Sequence, residues 1–205
     1  MEIIKDIPQR SSEWFELRAG KMSASNAHVI ATAGAGLETY CYNLIAKYYS
    51  NTVKENITNA DIERGIENEY IARELYMAQT GYNVEEITTA ILNDYVCVSP
   101  DGVIYQNGDI IRSIEIKCPR DDKYIKVLCE NYIEPNYKWQ MQLQMYVLDT
   151  CYVDYVVYNP HFDKDLIIIP YARDEEMIEK LKIGLKKGTE ILKELHSTIQ
   201  KIRSL

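Results

Sequence analysis

Asp101, Glu115 and Lys117 are the residues whose types and spacing point most directly to chemistry. Asp101 sits in a Ser-Pro-Asp-Gly turn, and Glu115 and Lys117 flank Ile116 in an alternating Ile-Glu-Ile-Lys run. In an extended strand the two isoleucines share one face, and Glu115 and Lys117 share the other. Asn107-Gly108 is a strong two-residue hairpin signal, so a strand over residues 103–105 is predicted to fold back on one over 110–117. That hairpin brings Asp101 towards Glu115 and Lys117 at one strand edge. Two carboxylates beside an ammonium suit a hard divalent cation and hydrolysis with charge stabilisation. A structural strand with a solvated Glu-Lys pair would show the same alternation, and Asp101 is what separates the two readings.

The elements that must hold this edge are legible from periodicity. Residues 11–19 read as a short helix carrying Trp14, Phe15 and Leu17, closed by Gly20 in a left-handed C-cap. Ser23 or Ser25 then serves as the cap of a helix running through Ile30. Equally, with Arg18 one turn away, these hydroxyls and a helix N-terminus form a cradle for a phosphate. Further helices are predicted over residues 37–50, 61–80, 120–129 and 135–148, the last opened by Pro135, and from Asp174 to near Ser204. Residues 51–59 read as a loop. Strands are predicted over 82–91 and 95–98, around an Asn93-Asp94 turn, and over 151–158 and 166–170. On the helix over 61–80, Glu67 and Glu69 point apart, so at most one faces the hairpin. Gln140 and Gln144 share one face of their helix and Gln142 lies off it. Gly184 and Gly188 either weaken the last helix or mark close packing. The order of elements predicts an α/β fold, a central mixed sheet flanked by helices.

At 205 residues and 23.8 kDa the chain suits one domain over 1–205, with a long C-terminal helix at about 174–204. The five cysteines lie far apart with no Cys-x-x-Cys pair, which argues against zinc or iron–sulfur ligation and for reduced thiols. A net charge of −8 argues against non-specific coating of DNA while allowing a local basic groove. No 18-residue apolar run and no signal-peptide pattern are present, so the expected location is the cytoplasm, with no membrane partner.

Asp101 followed by Glu115-Ile116-Lys117 matches the signature of the PD-(D/E)XK nuclease fold, the restriction-endonuclease-like core. It has companions in order: Trp14, Leu17-Arg18-x-Gly20, Ser23-Ala24-Ser25, Arg64-Gly65-x-x-x-Glu69-x-x-Ala72-Arg73, Cys118-Pro119, and Gln140-x-Gln142 before Met145-Tyr146-Val147. Together these resemble the phage lambda-type alkaline exonucleases, the YqaJ-like viral recombinase family, over roughly residues 9–159. The resemblance implies a processive 5′→3′ exonuclease that digests one strand of linear duplex DNA to mononucleotides and leaves a 3′ overhang. It implies Mg²⁺ or Mn²⁺, two ions per site, a ring-shaped homotrimer, a single-strand annealing partner and a phage or prophage origin in a bacterial host. Carried over residue by residue, it makes Asp101, Glu115, the Ile116 carbonyl and Glu69 the metal ligands. Lys117 orients the attacking water and offsets developing charge, and Gln140 sits by the water or the scissile phosphate. Arg18 and Ser25, with Ser23 beside them, take the 5′-terminal phosphate. The family's further acidic residue before the Ser-Pro-Asp-Gly stretch is matched only loosely by Asn93 or Asp94.

Two other functions share parts of this pattern. A structure-specific or restriction-type endonuclease of the same fold would carry the same Asp101, Glu115 and Lys117 but has no use for an end-phosphate pocket at Arg18 and Ser25. A catalytically silent DNA-binding protein would keep the hairpin acids only as a solvated face.

Overall fold

The computed structural model describes residues 1–50 and 60–204, and the side chains of the helix that begins at Ala60 from Glu67 onward. The predicted loop over 51–59 and the side chains of Ile62, Arg64, Gly65 and Ile66 lie outside the described residues.

Period-two alternation organises the part of the chain that matters most. Strand β5 (Gly102–Gln106) and strand β6 (Asp109–Lys117) form the hairpin, turned at Asn107 and Gly108 with φ of 53° and 89°. Both turn residues are left-handed, as a type I′ connection demands. Strand β7 (Tyr152–Tyr158) runs parallel to β6, and β8 (Leu166–Ala172) pairs antiparallel with β7, giving a sheet ordered β5-β6-β7-β8. On one face Ile114, Ile116 and Val156 pack against Ala72 and Tyr76 of helix α4 (Ala60–Thr80). On the other, Val153, Tyr155 and Val157 pack against Tyr124 and Val127 of α5 (Asp121–Glu130) and Met141 and Met145 of α6 (Pro135–Leu148). Each buried isoleucine of β6 contributes roughly 1.5–3 kcal/mol, so a one-residue slip that put Glu115 in the α4 layer is strongly opposed.

A second sheet is ordered β1-β3-β4-β2, from β1 (Glu2–Ile4), β3 (Thr89–Asn93), β4 (Val96–Val98) and the short β2 (Met22–Ser23). The single central sheet expected from sequence is therefore two four-stranded mixed sheets flanked by helices. They are joined where Glu85 and Val103 exchange both backbone hydrogen bonds at 2.9 Å. The strand predicted over 82–91 begins only at Thr89; in its first half Glu85 makes a single bridge to Val103 of β5.

Helices α2 (Ala27–Thr32), α3 (Ala35–Tyr49) and α7 (Glu175–Arg203) close a core around Met22, Ile30, Leu37, Leu143, Leu181 and Leu185. The glycines of α7 mark close packing. A Cβ at Gly184 would lie 1.8 Å from the Ile30 carbonyl oxygen, and one at Gly188 would lie 2.5 Å from the Met22 sulfur. Helix α1 (Ser12–Arg18) is capped by Ser11, which accepts from the Trp14 N–H; its C-cap is Ala19 and not Gly20, which takes its φ of 74° in the turn that follows, where the Lys21 N–H meets the Arg18 carbonyl. Among the described residues no helix is long and apolar enough to cross a membrane.

Candidate active site

Pro100 ends the β4 segment, and Asp101 enters the hairpin with its N–H on the Ile114 carbonyl at 3.2 Å. Its carboxylate turns back across the pair and accepts from the Ile116 N–H at 2.6 Å. Glu115, on the opposite face of β6 from the isoleucines, is only 1% exposed, so the solvated-pair reading of this strand fails. One of its oxygens accepts from Lys117 and from Gln140 Nε2, the latter at 2.6 Å. Its other oxygen accepts from Gln144 Nε2 at 2.6 Å. The two glutamines reach it because they lie one turn apart on α6, whose other faces are buried by Met141 and Met145 on one side and Leu143 and Val147 on the other.

Electrostatics in this corner are those of crowded acids around one cation. Burial, and then the Glu115 charge, pushes the Asp101 carboxyl up to about 7, with Glu69 adding to the rise and Lys117 opposing it. Burial works against the Lys117 charge, but Glu115 and Asp101 outweigh it and hold the ammonium far above the ordinary lysine range. Lys117 therefore remains a cation at any physiological pH. Its ammonium also lies 5.0 Å from the Tyr137 ring centroid, at the edge of a cleft of about 280 Å³ lined by Lys123, Lys126, Tyr132 and Tyr137.

Glu69 stands apart from this cluster. It is held by Arg10 through two hydrogen bonds of 2.7 and 2.9 Å, while Glu67 is exposed. Its charge is still felt by Asp101. Among the described residues no three or more His, Cys, Asp or Glu side chains gather as a metal site. The donor chemistry nevertheless fits a hard cation: Asp101 and Glu115 supply carboxylate oxygens, no nitrogen or sulfur ligand intrudes, and their mutual repulsion is what a divalent cation would relieve.

The second group of candidates lies around α1. Neither serine caps a helix. The chain runs through β2 and a 3₁₀ turn (Ala24–Asn26), which puts Asn26 at the start of α2, and Ser23 makes no side-chain cap bond. The Ser23 and Ser25 hydroxyls, 3.3 Å apart, instead line a cleft of about 330 Å³ with Arg18, Lys21, Tyr40 and Lys47. Arg18, which as a helix residue would by default be exposed, is half-buried, with its guanidinium 4.1 Å from the Trp14 ring centroid. Burial lowers its pKa, and among the described residues no carboxylate is paired with it. A partly desolvated guanidinium with no carboxylate partner among the described residues suits an anionic ligand. Asn93 and Asp94 are at the β3–β4 connection, with Asp94 lining a different cleft beside Lys193 and His196, so neither joins the hairpin acids.

Several supporting residues had no part in the sequence reading of the site. Gln144 was placed on the Gln140 face but given no role. Arg73 donates to the Asp101 carbonyl at 3.1 Å, and Gln9 donates to the Pro100 carbonyl at 3.1 Å. Gln142, off the Gln140 face as expected, ties α6 to the Ala172 carbonyl and the Asp174 N–H.

The YqaJ-like viral recombinase domain model matches residues 13–151, which takes in both clusters and more than half of the chain. The chain belongs to this family. No curated protein matches it. Among solved structures it is similar to the alkaline exonuclease LHK-Exo of Laribacter hongkongensis, with a TM-score of 0.82 and 28% identity over 95% of this chain and 99% of that one. LHK-Exo in complex with dAMP superposes almost as well, at 0.81. A phage-related exonuclease from Haemophilus somnus 129PT has a TM-score of 0.59 at 18% identity, a likeness of fold alone. The recombinase-family fold thus agrees with the restriction-endonuclease-like core expected from the hairpin motif.

Proposed function

We propose that this YqaJ-family chain is a metal-dependent 5′→3′ exonuclease of double-stranded DNA ends, releasing mononucleotides and leaving a 3′ single strand for recombination by annealing. Family membership and the likeness to an alkaline exonuclease support a DNA exonuclease. The observation that carries the finer reading is the pairing of the Asp101–Glu115–Lys117 corner, built around the buried Glu115, with an Arg18 cleft that no acid lines among the described residues.

In this reading Asp101, Glu115 and the Ile116 carbonyl would hold Mg²⁺ or Mn²⁺, and Glu69, bound by Arg10 in this structure, would be a further ligand. The bound ions supply an activated water and neutralise charge on the attacked phosphate. Gln140 and Gln144 fix the Glu115 carboxylate so that its oxygens present one geometry. Lys117, permanently protonated, orients the water and stabilises the negative charge that develops on the phosphoryl oxygens. Arg18, Ser23 and Ser25 take the 5′-terminal phosphate and so place the first phosphodiester at the carboxylates. A homotrimeric ring and an annealing protein complete the proposal, on family grounds.

The test is digestion of end-labelled linear duplex with 5′-phosphate or 5′-hydroxyl ends, alongside relaxed closed circles, with Mg²⁺ and with chelator. The expected result is mononucleotide release from phosphorylated ends, slower release from hydroxyl ends, intact circles and no activity in chelator. Cleavage of the circles would favour an endonuclease. Light scattering that returned a monomer or dimer would remove the ring.

A further inference from the structure

The segment from Gln9 to Arg18 touches both halves of the proposed site. Gln9 holds the Pro100 carbonyl, Arg10 holds Glu69, and Arg18 lines the open cleft. Trp14 does two things at once. Its ring carries the Arg18 guanidinium at 4.1 Å, and its indole N–H is shared between the Thr88 carbonyl at 3.2 Å and the Ser99 hydroxyl at 3.3 Å. Ser99 opens the Ser-Pro-Asp-Gly turn, two residues before Asp101.

We propose that Trp14 is a positioning residue through which an anion on Arg18 sets the turn that carries Asp101, so that a 5′-phosphate raises turnover and does not merely hold the strand. The indole is rigid, with only two side-chain torsions, so a shift of the guanidinium on its face moves its N–H edge as well. That edge has two acceptors, one on the β3 segment and one on the turn. A small rotation of the ring therefore exchanges the Thr88 carbonyl for the Ser99 hydroxyl as its partner. The first arrangement leaves Gln9 and Arg73 as the side-chain holds described on the turn's carbonyls; the second adds a further hold at Ser99, two residues before Asp101. The Asp101 carboxylate is tied to the Ile116 N–H at 2.6 Å, so the position of the turn sets how well that bond, and with it the carboxylate's aim, is kept.

The inference rests on the end-phosphate reading of the Arg18 cleft, and the experiment separates the two. Trp14→Phe keeps a ring beneath Arg18 and removes the N–H. Initial rates are measured over a range of concentrations of linear duplex with 5′-phosphate and with 5′-hydroxyl ends. Loss of one hydrogen bond in the productive state is expected to lower kcat on phosphorylated ends about fivefold, with KM within about twofold of wild type. Arg18→Ala is expected to raise KM and to lose the same kcat on phosphorylated ends. Ser99→Ala, which removes the other partner and leaves α1 untouched, is expected to repeat the kcat loss. The Trp14→Phe/Ser99→Ala double variant should be no worse than either single one. Circular dichroism checks the fold, and if Trp14→Phe does not fold, Ser99→Ala carries the comparison of kcat on the two ends. Wild-type kcat in these variants, a loss confined to KM, or multiplied losses in the double variant would overturn the coupling. Identical kinetics on both ends in the wild-type protein would instead overturn the end-phosphate reading beneath it.

Discussion

The hairpin corner and the α1 cleft are built on opposite principles. At the hairpin nearly every polar group is engaged: Glu115 accepts from Lys117, Gln140 and Gln144, and Asp101 accepts from the Ile116 N–H while Arg73 holds its carbonyl. At the cleft, Ser25 is exposed, the hydroxyls of Ser23 and Ser25 meet each other, Tyr40 and Asn26, and among the described residues Arg18 lies on the Trp14 ring with no carboxylate partner. The difference separates chemistry from recognition. Groups that must stabilise a charge as it develops gain from being fixed beforehand in a water-poor setting. Groups that must accept a chain end, and let it advance, are better left with their hydrogen-bonding capacity free for the ligand.

Removal of Lys117 tests the hairpin side of this contrast with the largest expected effect. Lys117→Ala should lower kcat by about 10²–10³ while leaving affinity for duplex ends nearly unchanged, because the lysine acts on developing charge and not on the end phosphate. Single-turnover digestion together with a gel-shift titration checks this. Digestion at the wild-type rate would take Lys117 out of the mechanism and leave the buried pair a structural one.

Gln144 offers a sharper probe, because among the described residues its side chain hydrogen-bonds only Glu115 and the Ser113 hydroxyl. Gln144→Leu keeps the volume and strips a donor from a buried carboxylate. It should cost roughly 1.5–3 kcal/mol of stability, the range for a hydrogen bond to a charged group. Activity should fall about 10- to 100-fold, with a matching rise in the Mg²⁺ concentration needed, as is usual for residues that orient a metal ligand. Thermal unfolding and a Mg²⁺ titration measure the two effects. Loss of stability with an unchanged Mg²⁺ requirement would reduce Gln144 to a core residue.

The fold and the hairpin site were legible because they rest on local rules. Asn107-Gly108 fixed the turn, alternation fixed the faces of Glu115 and Lys117, and helical spacing put Gln140 and Gln144 together. What escaped the sequence is contact between segments far apart in the chain. Nothing local says that Arg10 would clamp Glu69 59 residues away, that Arg73 would reach Asp101, or that the Glu85–Val103 bridge would divide the strands between two sheets. The serines show a second kind of miss. Their capping role is a sound default, but the capping position depends on where α2 starts. The 3₁₀ turn moved that start to Asn26 and freed the hydroxyls for the cleft.

The smallest expected effect completes the comparison from the cleft side. Ser25 is exposed and its hydroxyl meets only Ser23 and Asn26, so it holds nothing that the fold depends on. Ser25→Ala should leave the unfolding free energy within about 0.5 kcal/mol of wild type, as expected of a surface change away from any cap. If the hydroxyl binds the end phosphate, KM for 5′-phosphorylated duplex should rise by about two- to fivefold, the worth of one hydrogen bond, and KM for 5′-hydroxyl ends should not move. A Ser25→Ala protein that lost stability as Gln144→Leu does would mean that the cleft, too, is held together by its own polar groups. The division between a fixed chemical corner and an open recognition cleft would then fail. Unchanged KM on both ends would place the phosphate on Arg18 and the lysines at the cleft rim alone.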